Sequence, residues 1–440
     1  MNDADAKSLF DHALAVLHGN DRGNYIVPAG DLYPHQWLWD SCFISIGLRH
    51  LDVERAQQEI ESLLRGQWAN GMVPHIIFDP HPRHRRDHNI WQSWLNPHAP
   101  NGVITSGLTQ PPMLAEAIIR VGQKMKLVDR RSWYAKIYPH LLAYHQWLYK
   151  DRASDSGLII LLHPYESGMD NSPPEVYEIR EHAWPWWLKL LEVSRLDWPV
   201  NLVRRDVRHV PPGQRMSNVN AIAYWALLHH LRNRSYDSHD ILSHKPKFAL
   251  EDLAFNCILI RANKLLKDIA KSIGKELPED IAEAMKHTEE ALDTLWDEQT
   301  CRYYSRCLSG DSIYEATIAT LLPLYAGVVT QKRAEELVRL MKKRTQFRTN
   351  FPLPSVPTIS HSFNPEKYWQ GPTWVNMNWL IMDGLDRYSF KLEAEELKKK
   401  TLKMVAEHGS YEYFNPLDGS PAGAPNFSWT AALTIDLLKS

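Results

Sequence analysis

Along most of the chain, apolar residues recur three and four positions apart, the spacing that collects them on one face of an α-helix. The pattern runs through AKSLFDHALAVLHGN, WLWDSCFISIGLRHL, VERAQQEIESLLRGQWANG, LTQPPMLAEAIIRVGQKM, WYAKIYPHLLAYHQWLYKDR and IREHAWPWWLKLLEVSRL. It continues in NVNAIAYWALLHHLRN, ALEDLAFNCILIRANKLLKDIAKSIG, EDIAEAMKHTEEALDTLWDE, IYEATIATLLPLYAGV, QKRAEELVRLMKKR, PTWVNMNWLIMDGLDRY, KLEAEELKKKTLKMVAEHG and SWTAALTIDLLKS. These segments predict about fourteen helices, with strand-like alternation confined to short pieces. Gly19, Gly274 and Gly409 stand after their helices as C-terminal stops. The charged faces of KLEAEELKKK and QKRAEELVRLMKKR read as solvated surfaces laced by i, i+4 pairs.

Between the helices, tight turns alternate with long stretches rich in Pro, Gly, Trp and His, at 20–37, 70–107, 151–179, 198–216, 345–372 and 409–427. Long irregular loops in a compact fold usually carry function. Helical hairpins whose long loops gather on one side predict an all-α fold. It is a single (α/α)₆ toroid over residues 1–440, six helix pairs in two concentric rings with the site at one mouth. No repeat of fixed sequence is present, which argues against a solenoid.

The charge balance adds an exclusion. A formal net charge of −2 over 440 residues gives no electrostatic reason to expect nucleic acid or a membrane surface as partner. No window approaches 18 uncharged apolar residues, and the N-terminal stretch has neither a basic n-region nor an apolar h-region. The four cysteines, Cys42, Cys257, Cys301 and Cys307, form no Cys-x-x-Cys pair and read as reduced thiols. The expectation is a cytoplasmic protein with a small partner. The 17 Trp and 18 Tyr serve helix packing, ligand stacking or both.

The stretch HPYESGMDNSP, His163 to Pro173, sets two carboxylates, Glu166 and Asp170, among Pro, Gly and Ser. Gly168 and the prolines fix this backbone without a regular helix, and Tyr165 and Met169 offer an apolar wall that would raise a carboxyl pKa. A glycosidase needs such a rigid proton donor and a second carboxylate across the anomeric carbon. The residues alone equally allow a turn role for Asp170 and a surface ion pair for Glu166. ESGMDNSP resembles the signature of the inverting glycoside hydrolases of family 63 and the related trehalases of family 37, and LYPHQWLWDSCF, TSGLTQPP, YWQGPTWVNMNWL and YEYFNPLDGSPAGAPNFSWTAAL agree with it in order. GNYIVPAGDLYPHQWLWDS and GQWANGMVPHIIF are similar to the short bacterial branch of mannosylglycerate and glucosylglycerate hydrolases. The resemblance implies the same (α/α)₆ fold, with Asp170 as general acid and Glu412 as general base of an inverting catalytic domain.

It also implies a sugar site. Asp40 would bind the glycone, although a helix N-cap is its rival role, while Trp37 and Trp39 stack on sugar faces. Gln110, Trp369, Gln370 and Trp374 are carried over as sugar contacts, and Tyr33 and Glu166 join them as substrate-binding candidates. A glycerate leaving group would call for a bidentate arginine, with Arg205, Arg208 and Arg215 available in RRDVRHVPPGQR. Arg215 fits best, but MSNVNA after it lacks the tyrosine that glycerate-specific members keep, which leaves a neutral α-glucoside as the alternative substrate. His81, His84 and His88 in FDPHPRHRRDHNIW match no usual zinc spacing, and the tract reads as a basic, mobile mouth loop. No metal or organic cofactor is expected. A non-catalytic carbohydrate-binding toroid, and an epimerase or lyase on the same fold, are the competing classes.

Overall fold

The computed structural model describes residues 2–30, 32–194 and 197–440, apart from the side chain of Trp186. Among them, twelve helices alternate between two concentric layers. In chain order they are α1 (Asp3–Asn20), α2 (Leu38–Leu48), α3 (Val53–Leu64), α4 (Leu114–Gly122), α5 (Leu127–Arg152) and α6 (Leu253–Ser272). The second half comprises α7 (Glu279–Ala291), α8 (Pro323–Ala326), α9 (Gln331–Met341), α10 (Val375–Arg387), α11 (Lys391–His408) and α12 (Ser428–Lys439). The even-numbered helices touch in succession from α2 to α12, and α12 returns to α2, which closes an inner ring. The odd-numbered helices lie outside it. This is an (α/α)₆ toroid.

The layers follow from side-chain patterning. Helix α2 buries every residue, and α12 buries Ser428 through Leu437, because an inner helix meets protein on all sides. Outer helices α3 and α9 bury one stripe and give the other face to water. The ring is pinned at its closure by Asp436 of α12, which accepts from Arg49 Nη2 at 2.7 Å, His50 Nε2 at 2.8 Å and Trp379 Nε1 at 2.9 Å. Asn20 of α1 adds bonds to Asn426 O and Ser428 Oγ.

Two expected helices differ in the structure. IYEATIATLLPLYAGV becomes helical only from the 3₁₀ turn Ile318–Leu321, followed by the single turn α8 that starts at Pro323, since proline lacks the N–H that a continuous helix would use and is favoured in a helix's first turn. The expected helix 179–196 divides into a π-helical turn, Ile179–Ala183, and a helix, Trp186–Ser194, with Pro185 between; its last two residues, Arg195 and Leu196, lie outside the described residues. Gly19 lies within α1, which runs on to Asn20, whereas Gly274 and Gly409 do mark helix ends, with φ of +73° and +90°. No described helix is long and apolar enough to cross a membrane.

The N-termini of α2, α10 and α12 open onto one mouth, where Trp37 to Asp40, Trp374 and Phe427 to Trp429 lie. A long excursion between α5 and α6 covers it. The excursion includes the short helices Pro173–Glu178 and Asp206–His209 and the longer Asn218–Asn233, and two of the four small antiparallel sheets among the described residues brace the surroundings. Ile160–Leu161 pairs with Leu250–Glu251, which also pairs with Arg306–Cys307; Tyr411–Phe414 pairs with Pro421–Pro425.

Candidate active site

At the mouth is a cavity of about 690 Å³, and Asp170, Glu412, Asp40, Gln110, Tyr33 and Arg215 all line it. Asp170 projects from the turn between the 3₁₀ segment Pro164–Glu166 and the helix Pro173–Glu178. Gly168 in this turn has φ +69°, and a Cβ there would come within 2.7 Å of the Trp39 ring, so only glycine lets the acid loop lie against that indole. Asn171, in the left-handed region at φ +68°, is held from both sides. Its N–H donates to Tyr224 Oη at 2.6 Å, its carbonyl accepts from Gln370 Nε2 at 2.9 Å, and its side chain accepts from Asn220. Behind them, Glu175 accepts from Tyr224 Oη at 3.1 Å, from Ser172 N–H at 3.2 Å and from Ser167 Oγ. Burial pushes the Asp170 carboxyl up to about 7, with Arg215 opposing and Glu412 adding to the rise.

Glu412 stands on the strand Tyr411–Phe414 in opposite surroundings. Its Oε1 accepts from Tyr33 Oη at 2.9 Å, its Oε2 from Ala424 N–H at 3.0 Å, and Arg215 Nη1 is 3.3 Å from both oxygens. Gly423, with φ +74°, lets the paired strand approach, since a Cβ there would meet Glu412 Oε2 at 2.6 Å. Arg215 also donates to Tyr33 Oη at 2.7 Å, reaches Asp206 at 3.4 Å and lies over the Tyr368 ring at 4.2 Å. Arg204 braces Asp206 in turn, so the guanidinium at the base is fixed from below.

Asp40 is in the first turn of α2 and is not its N-cap; Trp37 holds that position. Among the described residues its carboxyl accepts no hydrogen bond from another residue, which leaves both oxygens to a ligand in the cavity. Burial, then Glu412 and Asp170, raise its pKa well above the usual carboxylate value. Gln110 Oε1 accepts from Trp39 N–H at 3.5 Å. Trp37, Trp39, Trp369 and Trp374 all face the cavity, the last two stacked in parallel at 3.8 Å. Trp429 also lines it, and among the described residues the buried indole N–H groups of Trp37 and Trp429 have no hydrogen-bond partner.

Glu166, Gln370 and Arg208 do not line the cavity. Glu166 is wholly buried and pairs bidentately with Arg152, both N···O distances being 2.8 Å, while accepting from Leu162 N–H at 2.7 Å. It is neither a surface acid nor a lining residue; it binds the acid loop to the end of α5. Gln370 is spent on Asn171 and likewise points away from the cavity. Arg205 does reach the mouth, half-exposed, where it bonds Asp87 at 3.1 Å, whereas Arg208 bonds Leu202 O on the surface. The basic tract is not a loop but a 3₁₀ turn, Pro82–His84, and a helix, Arg85–Trp91. Its three histidines do not share a site; His84 lies with His35 and Asp87, and there Arg83 donates to His84 Nε2 at 2.8 Å while Arg205 takes Asp87. Tyr368, Trp429, Arg204 and Asp206 were not singled out by the sequence. The first two stand inside the motifs YWQGPTW and NFSWTAAL, whereas Asp206 pairs with its near neighbour Arg204 and reaches Arg215 only through the fold.

Two carboxyls lining one cavity are the groups that cleavage of a glycosidic bond uses, and comparison with known proteins places the chain in that class: it is a glycoside hydrolase. More narrowly, residues 33–430 match the mannosylglycerate hydrolase MGH1-like glycoside hydrolase domain, and the chain belongs to that family. It is similar to a mannosylglycerate hydrolase of Thermus thermophilus, 39% identical over 427 residues that span 96% of this chain and 99% of that protein. With the glucosylglycerate hydrolase of Mycolicibacterium hassiacum it shares 31% identity over 97% of this chain and 96% of that protein. The crystal structure of a GH63 mannosylglycerate hydrolase from Thermus thermophilus in complex with Tris and D-glycerate matches with a TM-score of 0.87 and 36% identity, covering 97% of this chain and 99% of that one. A neutral trehalase from Saccharomyces cerevisiae, 17% identical with a TM-score of 0.59 over 94% of this chain and 73% of that one, shares the fold.

Proposed function

We propose that the chain hydrolyses a small α-glycoside of glycerate, with mannose or glucose as glycone and with inversion, Asp170 acting as general acid and Glu412 as general base. The observation that carries this reading is the contrast between two carboxyls lining one cavity. Asp170 is buried, and with its pKa raised to about 7 a large fraction keeps its proton at neutral pH for the glycosidic oxygen. Glu412 is surrounded by a guanidinium, a phenol and a backbone N–H, donors that complement a carboxylate able to take a proton from the attacking water. Asp40 and Gln110 hold glycone hydroxyls, and Arg215 faces the leaving group. The similarity to mannosylglycerate and glucosylglycerate hydrolases supports the substrate class. We read residues 1–440 as one catalytic domain, because the first and last helices pack together to complete the ring.

A second substrate reading rests on Arg215 itself. Its charge is already shared by Glu412 and Asp206, which favours a neutral α-glucoside over a carboxylate-bearing one. Turnover of α-mannosylglycerate, α-glucosylglycerate and α-glucosylglycerol decides between them. The glycerate compounds are expected to be preferred, with Asp170→Asn and Glu412→Gln each removing nearly all activity on all three. Preference for glucosylglycerol would establish the neutral reading, and full activity in either variant would overturn the assignment of acid or base.

A further inference from the structure

A second convergence of ligand-type side chains lies outside the cavity, at the last residue of the helix Pro173–Glu178. Glu178, His182 and Cys307 each present one ligand atom there, all within 4.8 Å of one another. Glu178 is only 3% exposed, and among the described residues its Oε2 has no hydrogen-bond partner. His182 Nδ1 stands 3.1 Å from that oxygen but off the line of a hydrogen bond. A buried carboxylate oxygen with no hydrogen bond, whose ion-pair neighbour is a half-exposed imidazole, is under-satisfied and can accept a further ligand. His182 comes from the π-helical turn Ile179–Ala183, four residues after Glu178 and therefore on the same face. Cys307 comes from the strand Arg306–Cys307. The side chains acting on its thiol are the carboxylates of Glu178 and Asp311, and burial together with these acids pushes the thiol up to about 12. Arg180, the nearby cation on the same turn, is engaged by Glu192 at 2.7 Å and lies over Trp184. The His35, His84 and Asp87 group at the cavity mouth differs in this respect, since arginines already occupy it.

We propose that Glu178, His182 and Cys307 form a binding site for a divalent transition-metal ion of the zinc type. One sulfur, one imidazole nitrogen and one carboxylate oxygen suit zinc or cobalt rather than calcium or magnesium, which prefer oxygen alone. Three protein ligands leave a fourth tetrahedral position to water. On binding, the Cys307 S–H bond gives up its proton to solvent as the metal–sulfur bond forms, Glu178 contributes a carboxylate oxygen and His182 its Nδ1 lone pair. The ion would fasten the end of the Pro173–Glu178 helix to the sheet containing Arg306–Cys307. That helix carries Glu175, which holds Ser167, Ser172 and Tyr224 around the Asp170 turn. The site is therefore structural, supporting the acid loop from behind.

Cobalt titration of the full-length reduced protein tests this. The expected result is one cobalt per chain, with a sulfur-to-cobalt charge-transfer band that zinc displaces, and a rise in Tm on adding zinc. The band should vanish in Cys307→Ser and in His182→Ala, and persist in Cys301→Ser, which removes the exposed thiol elsewhere. His182 is half-exposed, so its variant keeps the test valid if Cys307→Ser fails to fold. Absence of the band from the wild type, or its survival in His182→Ala, would overturn the proposal, leaving Glu178 and His182 as an ordinary ion pair.

Discussion

Burial holds the carboxyl of Asp170 near neutrality. As the proposed general acid it would donate from its protonated form, so kcat/KM is expected to fall as pH rises through about 7, where burial has placed its pKa. A pH–rate profile checks this, and a profile flat across neutrality would contradict it. Asp170→Asn and Glu412→Gln are near-isosteric and should each cost on the order of 10²- to 10⁴-fold in kcat with little change in Tm. Arg215 touches Glu412 and also lines the cavity, where the proposal sets it against the leaving group. Arg215→Ala should therefore slow every substrate through the base. It should then lower kcat/KM on glucosylglycerate roughly ten- to a hundredfold beyond its effect on glucosylglycerol, about 1.5 to 3 kcal/mol for a lost charge-assisted contact. Equal losses on both substrates would make Arg215 a positioning residue for Glu412 alone.

At the scale of elements, the loop around Asp170 is stabilised by groups that its own sequence does not reveal. Glu166 is four residues from Asp170 and looked like a second site acid, but its partner Arg152 arrives from the end of α5. Nothing in HPYESGMDNSP signals that pairing, because it depends on how the excursion folds back on the ring. Glu166→Gln should cost roughly 3 to 5 kcal/mol in denaturant unfolding, since it leaves Arg152 buried beside a neutral amide; a cost below about 1 kcal/mol would show the pair to be unimportant. Helices were legible where one stripe or a whole cylinder was apolar, as in α3 and α2. They were misread around Pro185 and Pro323, where periodicity continued through a residue that breaks or restarts a helix. The places of Asp170, Glu412, Asp40 and the indoles on one cavity were legible because the motifs that carry them bring their own side chains to the mouth. Gln370 was not, because it acts through the backbone of Asn171.

Over the whole molecule, ring closure brings Glu412, from near one end of the chain, onto Tyr33 near the other, with the excursion supplying Asp170 and Arg215 between them. Asp436 holds that closure, and its contacts to His50, Arg49 and Trp379 depress its pKa from 3.8 to about 2 although burial opposes the shift. A depressed carboxyl adds stability that is present above its unfolded pKa and is lost as pH falls from about 4 through about 2, here roughly 2 kcal/mol. Asp436→Asn should flatten that part of the acid-unfolding curve; an unchanged curve would contradict the assignment. The central claim, that this toroid delivers a proton from Asp170 and a water activated by Glu412 to opposite faces of one sugar, is tested most directly by proton NMR during the first minutes of α-mannosylglycerate or α-glucosylglycerate hydrolysis. The account predicts that the β-anomer of the free sugar forms first and only later mutarotates; initial release of the α-anomer would contradict it.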